Sequence, residues 1–254
     1  IKQFFFNIFR FLIAIKSDAI ITNGLRDSKI IKSIHTQKKI FEIPYAINSK
    51  KYNLSKNKNI TIGIPGSIDP LRRDYFKILD LFHLLTKIKK KIKIIFIGSY
   101  QSNTIKNTKN LKSNYFTELS KKVDELKAEG FYIKLFKNKL SQRVYNKCLK
   151  ESDIIFTHMN FKSYNPSKAQ GWTSSYTEAI TYNKILLTNR INPPKNIGSI
   201  ELNYKNEKEF YERIVYIINN KKKISGKVNK NIEKYFGQKN ISKLLNFEIN
   251  KIIN

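Results

Sequence analysis

The chain has 254 residues, of which 41% are hydrophobic, and a formal net charge of +30. This size and apolar content exclude a disordered protein, and the single cysteine, Cys148, excludes an internal disulfide or a thiolate metal cluster. The positive charge favours acidic partners such as anionic lipid, nucleic acid or phosphorylated small molecules, although lysines spread along the whole chain are also typical of an AT-rich coding bias.

The first part of the chain has little regular pattern. Residues 1–15 are apolar but too short to span a bilayer, so we expect a helix that packs on the protein or lies on a membrane surface. Short strands are predicted at residues 17–23 and 39–44. Residues 46–59 are polar and without periodicity, which predicts a linker and a domain boundary near residue 55. Because the chain begins at Ile1, we expect it to be a fragment of a longer protein.

Beyond residue 55, apolar strand patterns alternate with helical patterns. The predicted strands are Ile60–Ile64, Ile92–Ile97, Phe131–Phe136, Asp153–Phe156 and Ile185–Leu187. The predicted helices run from Asp69 to Lys87, from Tyr115 to Ala128, from Ser141 to Lys150, from about Ser174 to Asn183, and from about Glu207 to Asn219. Such alternation predicts an α/β fold with a doubly wound, Rossmann-like parallel sheet and right-handed crossovers.

In such sheets, ligands bind beyond the carboxyl ends of the strands. Three features fall there: the turn at residues 66–73, the pair Phe136–Lys137, and the segment from Gln170 to Glu178. A nucleotide cleft requires features of this kind to converge. We therefore expect them to lie around one ligand.

Two adjacent arginines follow the first strand. A guanidinium of Arg72 or Arg73 would pair bidentately with phosphate oxygens. The alternative is a solvated helix face, on which these arginines pair with Asp69 or Asp74. The residue pattern leaves both interpretations open.

The segment from Gly171 to Glu178 begins a helix. Gly171 and the hydroxyl residues after it would let backbone N–H groups point outward at the helix start, which is typical of an anion site. The alternative is structural, because Ser175 and Glu178 fit a capping box in which each side chain binds the other's backbone N–H.

Four motifs in this order resemble the nucleotide-sugar-binding half of GT-B glycosyltransferases, and within them the retaining, metal-independent group with two glutamates separated by seven residues. The motifs are Gly66–Arg72, Ile94–Gly98, Leu140–Tyr145 with Ser152–Phe156, and Ser167–Gly171 with Glu178–Ala179. The resemblance covers about residues 16–220. It implies the tail of an N-terminal acceptor domain and a linker over residues 1–55, a nucleotide-sugar-binding domain over 56–225, and a C-terminal helical segment over 226–254.

The resemblance also implies roles for single residues. Arg72 would hold the donor diphosphate, Gln170 would contact the donor sugar in place of the first glutamate, and Glu178 would bind the ribose hydroxyls. These three are the predicted catalytic set. The predicted donor-binding set adds Gly66, Ser67, Arg73, Phe136, Lys137, Gly171, Trp172, Thr173 and Ser174. The sequence departs from the family pattern at Gln170, at Ser67, where a second basic residue is common, and at Thr173, where a glycine is common.

The expected activity is transfer of a sugar from a nucleoside-diphosphate sugar to a carbohydrate or lipid-linked acceptor, in cell-envelope glycan synthesis. Cations and helix N–H groups would stabilise the leaving phosphate without a metal or cofactor. The expected location is the cytoplasm or the inner face of the membrane, with an anionic membrane surface as a further partner and no nucleic acid. Two alternatives stay open: a basic protein that binds nucleic acid or anionic surfaces without catalysis, and an inactive, nucleotide-binding homologue, since Gln170 replaces a glutamate.

Overall fold

The computed structural model describes residues 16–17, 19–22, 39–42, 59–70, 73–99, 114–160, 174–189 and 201–253. Before residue 55, strands β1 (Ala19–Thr22) and β2 (Lys39–Glu42) form a two-stranded parallel sheet. The two short strands expected there are therefore present. The predicted helix over residues 1–15 and the boundary near residue 55 lie outside the described residues.

The main body is a six-stranded parallel sheet with the strand order β5-β4-β3-β6-β7-β8. Its strands are β3 (Ile60–Pro65), β4 (Ile92–Ser99), β5 (Tyr132–Phe136), β6 (Ile154–Thr157), β7 (Ile185–Thr188) and β8 (Glu201–Asn203). The central strands are runs of isoleucine and leucine that are buried on both faces, as parallel sheets require. The expected doubly wound parallel sheet is confirmed.

Helices cover both faces of this sheet. They are α1 (Tyr75–His83), α2 (Tyr115–Ala128), α3 (Gln142–Glu151), α4 (Ser174–Thr181), α5 (Glu207–Phe236) and α6 (Gln238–Ile253). Three of the helix starts are capped by a side chain that accepts a backbone N–H: Asp74 from Lys77, Ser141 from Val144 and Asn206 from Glu209. Within the described ranges, no helix has the length and hydropathy that crossing a bilayer requires.

The direction of the crossovers reverses once. From β3 the chain adds β4 and β5 on one side, and then returns to add β6, β7 and β8 on the other. Right-handed crossovers therefore place α1 and α2 on one face and α3 and α4 on the opposite face. The reversal lies between β3 and β6, and a crevice at the carboxyl ends of these two strands is where such folds bind ligands.

The predicted helix start at Asp69–Pro70 is wrong. The N–H groups of Gly66 and Ile68 donate to Ile97 and Ser99 of β4, each at 3.0 Å, so the chain stays paired with the sheet beyond β3. The helix begins only at Tyr75, after the cap Asp74. It also ends earlier than predicted, at His83, and a 3₁₀ helix over Thr86–Lys91 follows.

The long helix α5 closes the domain. Its first part ends at Asn220, next to the predicted end near Asn219, where a φ of −120° and a ψ of 20° break the helix. A second helical part, which was not predicted as a continuation, follows the kink and extends to Phe236. Lys221, directly after the kink, forms a 3.0 Å ion pair with Asp153, whose side chain is only 1% exposed. Asp153 also accepts the backbone N–H of Thr61 at 2.9 Å. This ion pair anchors α5 at the amino edge of the sheet, where β3 and β6 begin.

Candidate functional site

The site is built around a tight turn at the carboxyl end of β3. Gly66 adopts a φ of +97°, which favours glycine. Gly98 of β4 lies so close to this turn that a Cβ atom there would be 1.9 Å from the Gly66 carbonyl oxygen. Both glycines are therefore required for the chain to turn directly over the sheet edge.

Arg73 joins this turn to the start of α4. Its side chain is buried, with 7% of the residue exposed. Nη1 donates a hydrogen bond to the Pro65 carbonyl oxygen, and Nη2 donates to Ser175 Oγ at 3.0 Å. Among the described residues, no carboxylate forms an ion pair with Arg73. A buried cation held only by neutral acceptors strongly favours an anion beside it.

Glu178 lies one turn into α4, beside the same turn. Its Oε1 accepts a hydrogen bond from the Tyr145 hydroxyl, whereas Oε2 is buried and has no partner within the described part of the chain. Burial raises the pKa of Glu178 to about 7, against the opposing effects of the Tyr145 hydrogen bond and the Arg73 charge. The carboxyl group therefore titrates near neutral pH and holds one buried oxygen without a hydrogen-bond partner among the described residues.

Tyr145, on α3, is a candidate site residue that belongs to the motif Leu140–Tyr145 but to which the sequence analysis assigned no role. Burial and the nearby Glu178 raise the pKa of Tyr145 well above its usual range, so the hydroxyl stays protonated and can donate to Glu178. The signal in the sequence was weak: a tyrosine on the inner face of a helix needs a partner for its hydroxyl. Nothing local indicates that this partner lies 33 residues away.

These contacts bear on the two structural alternatives that the sequence left open: a solvated helix face for the arginines, and a capping box formed by Ser175 and Glu178. The solvated-face interpretation is wrong for Arg73, because its side chain is buried and donates to Pro65 and Ser175. Its backbone N–H donates to the Asp69 carbonyl oxygen at 3.1 Å, and the Asp74 side chain caps α1. The capping-box interpretation also does not match the structure. Ser175 Oγ accepts from Arg73, and the Glu178 carboxylate accepts from Tyr145 instead of from the Ser175 backbone.

The predicted site residues fall into three groups. Gly66, Arg73 and Glu178 lie around the turn, with Ser174 at the first position of α4. Ser67 follows the turn and accepts a hydrogen bond from Tyr75 through its carbonyl oxygen, at 3.0 Å. Phe136 and Lys137 lie at the end of the edge strand β5, two strands from β3. The residues outside the described ranges are Arg72, Gln170, Gly171, Trp172 and Thr173.

The arrangement combines three chemical capacities at one strand edge. The buried guanidinium of Arg73 supplies positive charge, the N-terminus of α4 points backbone N–H groups in the same region, and Glu178 offers a hydrogen-bond acceptor. Together these groups suit a ligand that carries both negative charge and hydroxyl groups.

The sequence matches no protein-family model and no curated protein. Its structure is similar to solved glycosyltransferases. Against TarM from S. aureus, solved as a mutant with fondaparinux, α-GlcNAc-glycerol and UDP, the TM-score is 0.61 at 14% identity, over 95% of this chain and 45% of that one. Against the pneumococcal O-GlcNAc transferase GtfA, solved with UDP and GlcNAc, the TM-score is 0.58 at 14% identity, over 97% of this chain and 47% of that one.

A glycosyltransferase from Rickettsia africae gives a TM-score of 0.57 at 15% identity, over 93% of this chain and 64% of that one. Identities this low show a shared fold alone. The chain spans less than two thirds of the length of each of these three proteins.

Proposed function

We propose that this chain is the donor-binding part of a glycosyltransferase that uses a nucleoside-diphosphate sugar. The proposal rests on two neighbouring groups at the reversal point of the sheet. Arg73 is buried and forms no ion pair with a described carboxylate, and Glu178 is buried with one oxygen that has no partner among the described residues. A nucleoside diphosphate has the two matching groups, a charged diphosphate and ribose hydroxyls. The similarity in fold to glycosyltransferases supports the same conclusion.

Each group has a definite task in this proposal. Arg73 and the N–H groups at the start of α4 stabilise the diphosphate, on which negative charge builds as the sugar leaves. Arg72 adds a second cation to the same region. The free oxygen of Glu178 accepts a ribose hydroxyl, and Gln170 contacts the sugar.

The reaction proposed is a retaining transfer that needs no metal ion, as the sequence resemblance implies. TarM and GtfA were both solved with UDP, so UDP is the first nucleotide to test. The proposed acceptor is a carbohydrate or a lipid-linked glycan, bound by a domain that precedes this chain.

Isothermal calorimetry with UDP, GDP and ADP tests the proposal directly. We expect saturable binding of at least one of them, and much weaker binding of the matching nucleoside. Arg73→Gln should weaken nucleotide binding by about 1.5 to 3 kcal/mol, because it removes a charge-assisted contact. Arg213→Gln on the exposed side of α5 removes an equal charge away from the site and should have no effect.

Random single-stranded RNA is the matched competitor. If no nucleotide binds and RNA binds tightly with a steep salt dependence, the chain is a nucleic-acid-binding protein and the proposal fails. If both arginine variants lose affinity equally, the binding reflects general charge and not the proposed site.

A further inference from the structure

A cavity of about 600 Å³ lies at the carboxyl ends of β6, β7 and β8. Its lining includes His158, Asn189 and Tyr204, each of which directly follows its strand. The volume is within the usual range of small-molecule sites. Its position at the carboxyl edge of a parallel sheet is also where this class of fold binds ligands.

The lining of the cavity does not include the described residues of the proposed nucleotide site. Its sides come from α1, through Lys77 and Leu81, and from the start of α5, through Glu207 and Lys208. Helix α1 covers the face of the sheet opposite to α3 and α4, which carry Tyr145 and Glu178. None of the cavity's lining residues belongs to the cluster around Arg73.

The side chains at the base of the cavity are held in place by contacts within the protein. The Tyr204 ring stacks on His158, with ring centroids 6.0 Å apart, and meets Phe210 edge-on at 5.2 Å. The Tyr204 hydroxyl contacts His158 Nδ1 at 2.5 Å. Asn189 is held by two hydrogen bonds with the Met159 backbone, of 2.8 and 3.0 Å. A wall that is already ordered loses little freedom when a ligand binds.

The charges around the cavity are mainly positive. Lys77 pairs with Glu207 across the rim, whereas no described carboxylate forms an ion pair with the ammonium group of Lys205 or Lys208. The backbone N–H of Lys205 donates to Glu209 Oε2 at 2.8 Å, and Glu207 and Glu209 already place negative charge in the first turn of α5. Burial lowers the pKa of His158 to about 4, so the ring is neutral at physiological pH. With Nδ1 occupied by Tyr204, its remaining nitrogen can donate a hydrogen bond.

We propose that this cavity binds a small phosphate monoester, and specifically a phosphorylated sugar. The ammonium groups of Lys205 and Lys208, which form no ion pair with a described carboxylate, match a doubly charged phosphate. Tyr204 and Leu81, each at most 2% exposed, form the apolar base of the cavity. Asn189 and His158 provide polar contacts for hydroxyl groups. This combination of apolar walls and a few polar groups is typical of small-molecule sites.

Calorimetry with glucose 6-phosphate, inorganic phosphate and glucose tests this site. We expect saturable binding of glucose 6-phosphate, weaker binding of phosphate and none of glucose. The double variant Lys205→Ala/Lys208→Ala should weaken glucose 6-phosphate binding about tenfold or more. The control is Lys222→Ala/Lys223→Ala, which removes two exposed lysines farther along α5 and should change nothing.

The same titration is repeated with saturating UDP. We expect UDP not to displace glucose 6-phosphate, and the Lys205/Lys208 variant to keep its affinity for UDP. Three results would overturn the proposal: no saturable binding of glucose 6-phosphate, equal losses in both double variants, or displacement by UDP. The proposed nucleotide site is tested separately, because neither Arg73 nor Glu178 lines the cavity.

Discussion

Glu178→Gln tests the proposed nucleotide site most sharply. Glutamine keeps the shape of the side chain, and its carbonyl oxygen can still accept the Tyr145 hydroxyl. The amide nitrogen then replaces the unpaired Oε2, so that an acceptor becomes a donor. At pH 8, where the native carboxyl group is mostly ionised, we expect the affinity for UDP to fall by about 1 to 3 kcal/mol, or about 5- to 150-fold.

The same substitution has the opposite effect on the stability of the free protein. Burial raises the pKa of Glu178 from 4.5 to about 7. The folded state therefore holds this proton more tightly than the unfolded state does. The resulting stability is fully present below pH 4.5 and is lost as the pH rises through 7. At about 1.36 kcal/mol for each pH unit, the loss is on the order of 3 kcal/mol.

Glutamine does not ionise, so it escapes this loss. We expect the free energy of unfolding of the Glu178→Gln variant to exceed that of the native protein by up to about 3 kcal/mol at pH 8, and to match it at about pH 4, below the unfolded-state pKa. Urea denaturation at the two pH values measures this difference. Glu125→Gln, on the exposed side of α2, is the matched control and should change neither stability nor affinity. A variant that is less stable at pH 8 and binds UDP normally would refute the reasoning.

Four further substitutions have definite expected results. Tyr145→Phe removes a hydrogen bond that lowers the pKa of Glu178, so the pH midpoint of UDP binding should move upward; an unchanged midpoint in calorimetry over a pH series would contradict this. Arg72→Ala should weaken UDP binding by about 1.5 to 3 kcal/mol and leave uridine binding unchanged, whereas equal losses would place Arg72 away from the phosphate. Gly98→Ala puts a Cβ 1.9 Å from a backbone oxygen and should lower the unfolding free energy by more than about 2 kcal/mol in urea denaturation. Gly226→Ala meets no atom within 4 Å and should instead stabilise α5 by up to about 1 kcal/mol, so a similar loss in both variants would count against the close approach.

The sheet was predictable because its information is local. Uninterrupted runs such as Ile92–Ile97 and Ile185–Leu187 have the length and composition of buried parallel strands, and the structure places them there. The start of α1 was not predictable in this way. Asp69–Pro70 has the local pattern of a helix start, but the N–H groups of Gly66 and Ile68 donate to β4, a distant segment of the chain, and so keep this part of the chain at the sheet.

In the candidate site, too, the features with a local sequence pattern were predictable and the long-range contacts were not. Gly66, Arg73 and Glu178 could be selected from turn residues, charges and spacing, because each has a local signal. The contacts between these residues could not be predicted from the sequence. The hydrogen bond from Arg73 to Ser175 joins residues 102 positions apart. The bond from Tyr145 to Glu178 depends on how α3 and α4 pack side by side on one face of the sheet.

The position of the buried ion pair between Lys221 and Asp153 affects which substitutions the protein can accept without loss of stability. It lies at the amino edge of the sheet, whereas both proposed ligand sites lie at the carboxyl edge, and a strand of six residues such as β3 is about 20 Å long. Substitutions farther apart than about 10 Å usually have additive effects on stability. Ligand preference at one rim can therefore be redesigned by laboratory evolution without weakening the attachment of α5 at the other.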